Sequence, residues 1–377
     1  MKPMLWRLPA YFAPGLPRPT KSFITVSFGP LLDEAHPARQ ASAHHMGANM
    51  RCATVCSVRD EGPFLVEWVA WYLWLGFDEI VVVTNDCTDH SPALLDALRP
   101  AGVTHLRHDV PDGIQICARK LEAAKALPQV STADWVLVCD VDEFLVIHKG
   151  AGRIRDLIPD TPDFLGMAIN WRVFGTSGRD RWADGLTHRQ FRHCAESRDF
   201  SSTWVKTLHA QPGWFRKLGE HGPKRLLPRH ARRWGTAGLR WVNADGTDLP
   251  EWTPEGEYLR RVPLERVSHE TAQMNHYMIR ARESFALKKG SLSSVAGKDR
   301  YTDSFFDRYN RNEVTDDSAL RHAAAFDAVH DRLMALPDVA RLHHLCCADY
   351  VARLAAKAGR RPEDDPRHAH HLRLAQG

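Results

Sequence analysis

The 377-residue sequence predicts an α/β fold: a Rossmann-type, mainly parallel sheet flanked by helices, with a helical C-terminal extension. Three observations carry that expectation. Four short Val-rich runs recur at similar spacing, "CATVCSV" (52–58), "EIVVVTN" (79–85), "VTHLRHDV" (103–110) and "ADWVLVCDV" (133–141). Runs of that kind read as strands buried on both faces of a parallel sheet. Helix-patterned segments separate them, and β-α-β-α-β-α-β alternation favours right-handed crossovers with helices on both faces. Further on, "ALRHAAAFDAVHDRLMAL" and "VARLHHLCCADYVARLAAKAG" are Ala-rich and helical in pattern.

Each connecting segment has recognisable ends. In "DEGPFLVEWVAWYLWLGF", Pro63 suits a first helical turn, Leu65, Val69 and Leu73 recur at i+4, and Gly76 suits the stop. "HSPALLDALRPAG" offers Ser91 as N-cap, Pro92 in the first turn and Gly102 beyond the end. "IQICARKLEAAKAL" groups Ile116, Leu121 and Ala124 on one side and stops before Pro128. Later, "FLGMAINWRVF" (164–174) and "TWVKTLHA" (203–210) read as strands and "RARESFALKKGS" (280–291) as a helix. The expected division is a loose extension over 1–50, two halves of one α/β domain over 51–150 and 151–315, and a helical extension with a polar tail over 316–377. The tail, "RRPEDDPRHAHHLRLAQG", is expected to fray.

Composition narrows the function classes. A net charge of +4 with 25% charged residues gives no electrostatic footprint for nucleic acid. Eight scattered cysteines in so long a chain read as free thiols in a reducing compartment. No apolar run reaches membrane-spanning length, and the proline-interrupted N-terminus has no signal-type apolar core, so the expected location is cytoplasmic.

Ligands of open parallel sheets bind outside the carboxyl ends of the strands. Acidic clusters fall at three such ends: Asp60 and Glu61 after the first run, Asp86 and Asp89 after the second, and Asp140, Asp142 and Glu143 in "WVLVCDVDEFL" after the fourth. Three carboxylates within four positions repel one another. A divalent cation with bound phosphates would neutralise them, and hard oxygen ligands suit Mn²⁺ or Mg²⁺. Lys206 and Lys288 are candidates for diphosphate oxygens. Asp60 and Glu61 suit a ligand role and a helix-capping role equally, and Asp89 suits a turn. A Walker B strand would need an upstream phosphate-binding loop, which is missing, and a haloacid-dehalogenase-type phosphatase carries its DxD on the first strand.

"VRDEGPFLVEWVAWYLWLGFDEIVVVTNDCTDHS" followed by "WVLVCDVDEFL", with "INWRVFGTSG" and "MNHYMIRARESFALKK" downstream, resembles the family 2-like glycosyltransferases of GT-A fold, in the branch whose DxD reads DVDEF. The resemblance spans roughly Arg51 to Lys289. It implies a metal-dependent transferase that moves a sugar from an NDP-sugar, by family habit a UDP-sugar, to a glycan or other hydroxyl acceptor with inversion. It also implies that Asp86 contacts the nucleoside, that Asp140 and Asp142 reach the ribose and the metal, and that a late His, here His276, closes the metal shell. A lone His beside apolar residues equally reads as a core residue. Asp184 and Glu143 are the candidate general bases. No "QxxRW" motif of the processive synthases is present, so a membrane polymer synthase is not expected. The alternative is a sugar- or nucleotide-binding protein of the same fold without turnover, or another nucleotide- or phosphate-transfer enzyme. In "HHLCC", His343 with Cys346 and His344 with Cys347 recur three apart as zinc ligands can, but no second ligand pair of standard spacing accompanies them.

Overall fold

The Val-rich runs form strands because each places β-branched residues on both faces of a sheet that helices cover. The computed structural model describes residues 50–108, 110, 115–236, 239–256, 259–290 and 300–377. The expected extension over 1–50 lies outside the described residues apart from Met50. The strands are β1 (Cys52–Val58), β2 (Glu79–Thr84), β3 (Val103–Arg107), β4 (Trp135–Val138), β5 (Glu143–Ile147), β6 (Gly166–Val173), β7 (His193–Cys194) and β8 (Val205–Ala210). They continue with β9 (Phe215–Gly219), β10 (Gly222–Leu226), β11 (Trp241–Asn243), β12 (Ala272–His276) and β13 (Val314–Thr315). The helices are α1 (Gly62–Leu75), α2 (Ser91–Ala97), α3 (Ile116–Ala126), α4 (Pro128–Ser131), α5 (Ile154–Leu157) and α6 (Thr187–Gln190). After them come α7 (Pro228–Ala231), α8 (Arg282–Lys288), α9 (Asp303–Tyr309), α10 (Ala323–Met334), α11 (Val339–Lys357) and α12 (Pro366–Leu374).

The main sheet has the order β3-β2-β1-β4-β8-β6-β12-β5, with β11 paired to β6. Strands β3, β2, β1 and β4 are parallel throughout, in the spatial order of a nucleotide-binding half-sheet. Beyond β4 the sheet turns mixed: β8 runs antiparallel to both β4 and β6, and β5 antiparallel to β12. The expectation of a mainly parallel sheet therefore holds for the first half and gives way in the second. Strands β5 and β12 escape the sequence reading because their pairing is set by partners more than a hundred residues away.

Helix α1 is apolar on every side, and all its residues except Leu73 are buried. Such a helix needs cover on both faces. The sheet covers one, and α10 and α11 cover the other. Pro63 stands in its first turn as expected, and Gly76 ends it in the left-handed region at φ 92°. Two details differ from expectation. His90, not Ser91, occupies the N-cap of α2; Asp89 forms the turn instead, accepting from the Ser91 backbone N–H at 3.0 Å and hydroxyl at 2.7 Å. The polar tail is helical: Asp365 caps α12 by accepting from the Arg367 N–H at 3.1 Å, and α12 packs on α11. His371 meets His344 of α11 with ring nitrogens 3.4 Å apart, and Arg367 bonds to the Trp182 carbonyl and to Glu283, so tertiary contacts hold a segment that looks merely polar in isolation.

Candidate functional site

Strand β4 ends at Val138, and the chain turns through Asp140 and Asp142 into β5, whose first residue is Glu143. The Glu143 N–H donates to the Asp140 carbonyl at 3.0 Å, and the Asp140 N–H donates to Glu143 Oε2 at 2.8 Å. This closed turn has three further anchors on α1. Trp68 Nε1 donates to the Asp140 carbonyl at 3.1 Å, the Tyr72 hydroxyl to the Glu143 carbonyl at 3.1 Å, and Trp71 Nε1 to the Leu145 carbonyl at 2.9 Å. The aromatic side of α1 is thus a brace for the acidic turn as well as core. Its sequence signal, three Trp and a Tyr in one helix, says only that something large is buried.

Protein cations face the carboxylates. Lys206 on β8, 1% exposed, sets its Nζ 2.8 Å from Glu143 Oε2 and 3.2 Å from Asp140 Oδ2. Burial alone would lower its pKa, but Asp140 and Glu143 outweigh that and hold it well above the usual lysine range. Lys288 on α8 donates to Asp142 Oδ2 at 3.2 Å and to the Met278 carbonyl at 2.8 Å. His276, the last residue of β12, brings Nε2 to 3.5 Å from Asp142 Oδ1 and Nδ1 to 3.7 Å from Glu143 Oε1. Trp171 fixes the imidazole edge-on at 4.2 Å between ring centroids. Burial would raise the Asp142 pKa, yet Lys288, His276 and Arg280 together hold it well below the carboxylate range. Glu143 goes the other way: full burial and the neighbouring Asp140 push it up to about 7, against the opposing pull of Lys206.

Arg280 is the functional neighbour that sequence reasoning missed. It is 3% exposed, lies over the Phe64 ring at 3.4 Å, and donates from Nη1 to Glu61 Oε2 at 3.0 Å. No local pattern marks it, because Glu61 is 219 residues away in sequence. Through Arg280 the end of β1 joins the acidic turn after β4. Asp60, Asp86 and Arg280 all hold positive φ, at 55°, 45° and 53°. Backbone strain of that kind in non-glycine residues concentrates at sites where geometry is over-determined.

The structure brings the predicted residues together unevenly. Asp140, Asp142, Glu143, Lys206 and His276 form one constellation, with Lys288 on its rim. Asp60 and Asp86 stand on the same carboxyl edge of the sheet, after β1 and β2. Two strand spacings, roughly 10 Å, separate the ends of β2 and β4. Asp60 Oδ1 accepts from the Thr88 N–H at 2.6 Å and hydroxyl at 3.2 Å, so it ties the two loops rather than capping α1. Asp184 is placed elsewhere: its carboxylate lies 3.3 Å from His343 Nε2 on α11, and among the described residues no hydrogen bond or ion pair joins it to the acidic turn. Glu143, fully buried, anchors the turn with Oε2 while Oε1 makes no hydrogen bond, and a buried oxygen does not meet an acceptor hydroxyl. The loop "FGTSG" is also committed. Its Thr176 and Ser177 N–H groups donate to the side chains of Asn310 and Asn312, each at 2.8 Å.

The donor set suits a hard divalent cation. Asp142 Oδ1 and His276 Nε2 face each other at 3.5 Å, close to the roughly 3 Å between adjacent ligands of an octahedral shell with bonds near 2.1 Å. His276 Nδ1 and Glu143 Oε1 are buried without hydrogen-bond partners, and Asp140, whose side chain is 46% exposed, offers an accessible carboxylate. Lys206, Lys288 and Arg280 already offset much of the carboxylate charge, so a cation is not required to hold the turn together. All eight cysteines are free, and among the described residues no helix is long and apolar enough to cross a membrane. A comparison with protein-family models and with curated proteins finds no match to this chain.

Proposed function

We propose that the protein is a metal-dependent glycosyltransferase that takes a nucleoside-diphosphate sugar, with UDP as the expected nucleotide, and transfers the sugar to a hydroxyl acceptor. The supporting observation is the position of the acidic turn: Asp140 and Asp142 stand beside His276 at the carboxyl edge of a 3-2-1-4 parallel half-sheet, where such sheets place nucleotides. In this reading Asp86 and Asp60 meet the nucleoside side, and Asp140, Asp142 and His276 hold Mn²⁺ or Mg²⁺. The bound metal would stabilise the charge that develops on the diphosphate as the bond from sugar C1 to phosphate oxygen breaks. Lys206, 3.2 Å from Asp140 Oδ2, keeps that carboxylate oriented from below. Lys288, partly exposed on the rim, exchanges Asp142 for a phosphate oxygen when the donor arrives. The GT-A assignment, an inverting course and a cytoplasmic location belong to the same proposal.

A second reading keeps the fold as a binding module. It draws on the charge compensation by Lys206, Lys288 and Arg280, which leaves the site stable without a metal, and on the burial of Glu143, which removes one candidate base. One experiment separates the two. Purified protein is incubated with UDP-, GDP-, CDP- and dTDP-sugars and Mn²⁺, and both nucleotide release and thermal midpoint are measured. Turnover expects nucleotide release from at least one donor, lost in Asp142→Ala, together with a metal-dependent stabilisation by that nucleotide. Stabilisation without release selects the binding module. No stabilisation and no release, with Asp142→Ala indistinguishable from the parent, sinks both.

A further inference from the structure

We propose that Asp184, His344, Cys347 and His371 form a zinc site that pins the C-terminal helices to the body of the protein. Their ligand atoms, two imidazole nitrogens, one sulfur and one carboxylate oxygen, all lie within 4.8 Å of one another. The chain delivers them from three separate places. His344 and Cys347 stand three apart on α11, His371 comes from α12, and Asp184 from the loop between β6 and α6. The second ligand pair that "HHLCC" lacks in sequence is therefore supplied in space. In a tetrahedral shell with Zn–N near 2.0 Å and Zn–S near 2.3 Å, neighbouring ligands stand roughly 3.3 to 3.8 Å apart. His344 Nδ1 and His371 Nδ1 are 3.4 Å apart, already at that spacing, and with every ligand atom within 4.8 Å of the others no pair has more than about 1 Å to close.

The chemistry of the set selects the metal. A thiolate with two imidazoles favours zinc over the oxygen-seeking Mg²⁺, Ca²⁺ and Mn²⁺ expected at the acidic turn. Cys347 is fully buried and His371 is 3% exposed, so the soft donors are screened from solvent. His343 supplies an outer partner. Its Nε2 stands 3.3 Å from Asp184 Oδ1 and 3.6 Å from Cys347 Sγ, where it orients two ligands at once, as outer-shell groups of metal sites do. Four protein ligands leave no open position, which defines a structural site rather than a catalytic one. Asp184 thereby acquires a task far from the acidic turn. The site would clip α12 and α11 to the loop after β6, and α11 in turn covers α1, the helix that braces the acidic turn.

The test uses the untagged full-length chain, stripped with a chelator and reloaded. Zinc is expected at about one equivalent per chain after gel filtration, with a higher thermal midpoint than the stripped protein. Cobalt substitution is expected to give the strong visible bands of tetrahedral Co²⁺ and a near-ultraviolet thiolate-to-cobalt charge-transfer band. The band shows that a cysteine binds the metal, and Cys139, next to Asp140, and Cys87, beside Asp60 and Asp89, make its loss in C347S the observation that assigns it to this site. C347S should abolish the band with the circular dichroism of the parent retained, and H344Q, at a half-buried position, should weaken zinc binding at least about 100-fold. D142N should leave the thiolate-to-cobalt band unchanged, since Asp142 is not a ligand of this site. The proposal is overturned if the folded parent retains no zinc, or if the charge-transfer band persists in C347S.

Discussion

Lys206 shows how a single residue lets three carboxylates crowd one turn. Its side chain is 1% exposed and its ammonium lies within 3.2 Å of both Asp140 and Glu143, so its removal would leave the fully buried Glu143 without its nearest counter-charge. Breaking one partner of a buried ion pair costs about 3 to 5 kcal/mol, more than the pair contributes over an apolar substitute. Lys206→Met is expected to lose about 3 kcal/mol in denaturant unfolding, and adding Glu143→Gln should recover part of that loss. If Lys206→Met unfolds at the parent midpoint, the ion pair does not hold the turn. The residue scale was only partly legible. "DVDEF" announces its carboxylates, and Lys206 and His276 lie in strands short enough to quote, but Arg280 has no signal because both its partners, Glu61 and the Phe64 ring, arrive from the other end of the chain.

At the scale of elements, the fit between α1 and α11 depends on Gly62. A β-carbon built there would lie 2.4 Å from both Cβ and Sγ of Cys346, and 3.1 Å from Asp89 Oδ2. The backbone of α1 therefore approaches α11 as closely as atoms allow, and no flexible side-chain end is available to yield. Gly62→Ala is expected to cost about 1 to 3 kcal/mol by overpacking, despite the better helix propensity of alanine. A Gly62→Ala protein with an unchanged thermal midpoint would show that α11 does not seat there. The helices and the parallel strands were legible because their periods and end signals are local: Pro63 and Gly76 mark α1, and Val-rich runs mark β1 to β4. Strands β5 and β12 were not, since "EFLVI" pairs only with "AQMNH", more than a hundred residues away, and "AQMNH" pairs with it and with β6. The fate of the tail was set by α11, whose His344 meets His371 across the helix pair.

For the whole molecule, the mixed sheet determines how stability responds to acid. His209 sits on β8, the strand that joins the parallel half to the rest, paired to Val136 on one side and Gly166 on the other. It is fully buried, and burial lowers its pKa from 6.5 to about 3, with Lys125 adding to the effect and backbone contacts opposing it. His221 and His269 are lowered by burial as well, to about 3 and about 4. The unfolded chain takes up these protons as pH falls through 6.5, whereas the folded chain does not until pH is near 3 or 4, so stability falls across that window. Each such histidine contributes a slope of up to about 1.4 kcal/mol per pH unit, and His209 alone on the order of 4 kcal/mol by pH 3. His209→Gln removes one titrating group and is expected to flatten the decline of unfolding free energy between pH 6 and pH 4 by about 1 kcal/mol per unit, whatever its effect at neutral pH. Denaturant unfolding of parent and variant across that range reads the difference. Parallel curves would mean that His209 takes its proton in the folded state as readily as in the unfolded one, and that the centre of the sheet admits charge.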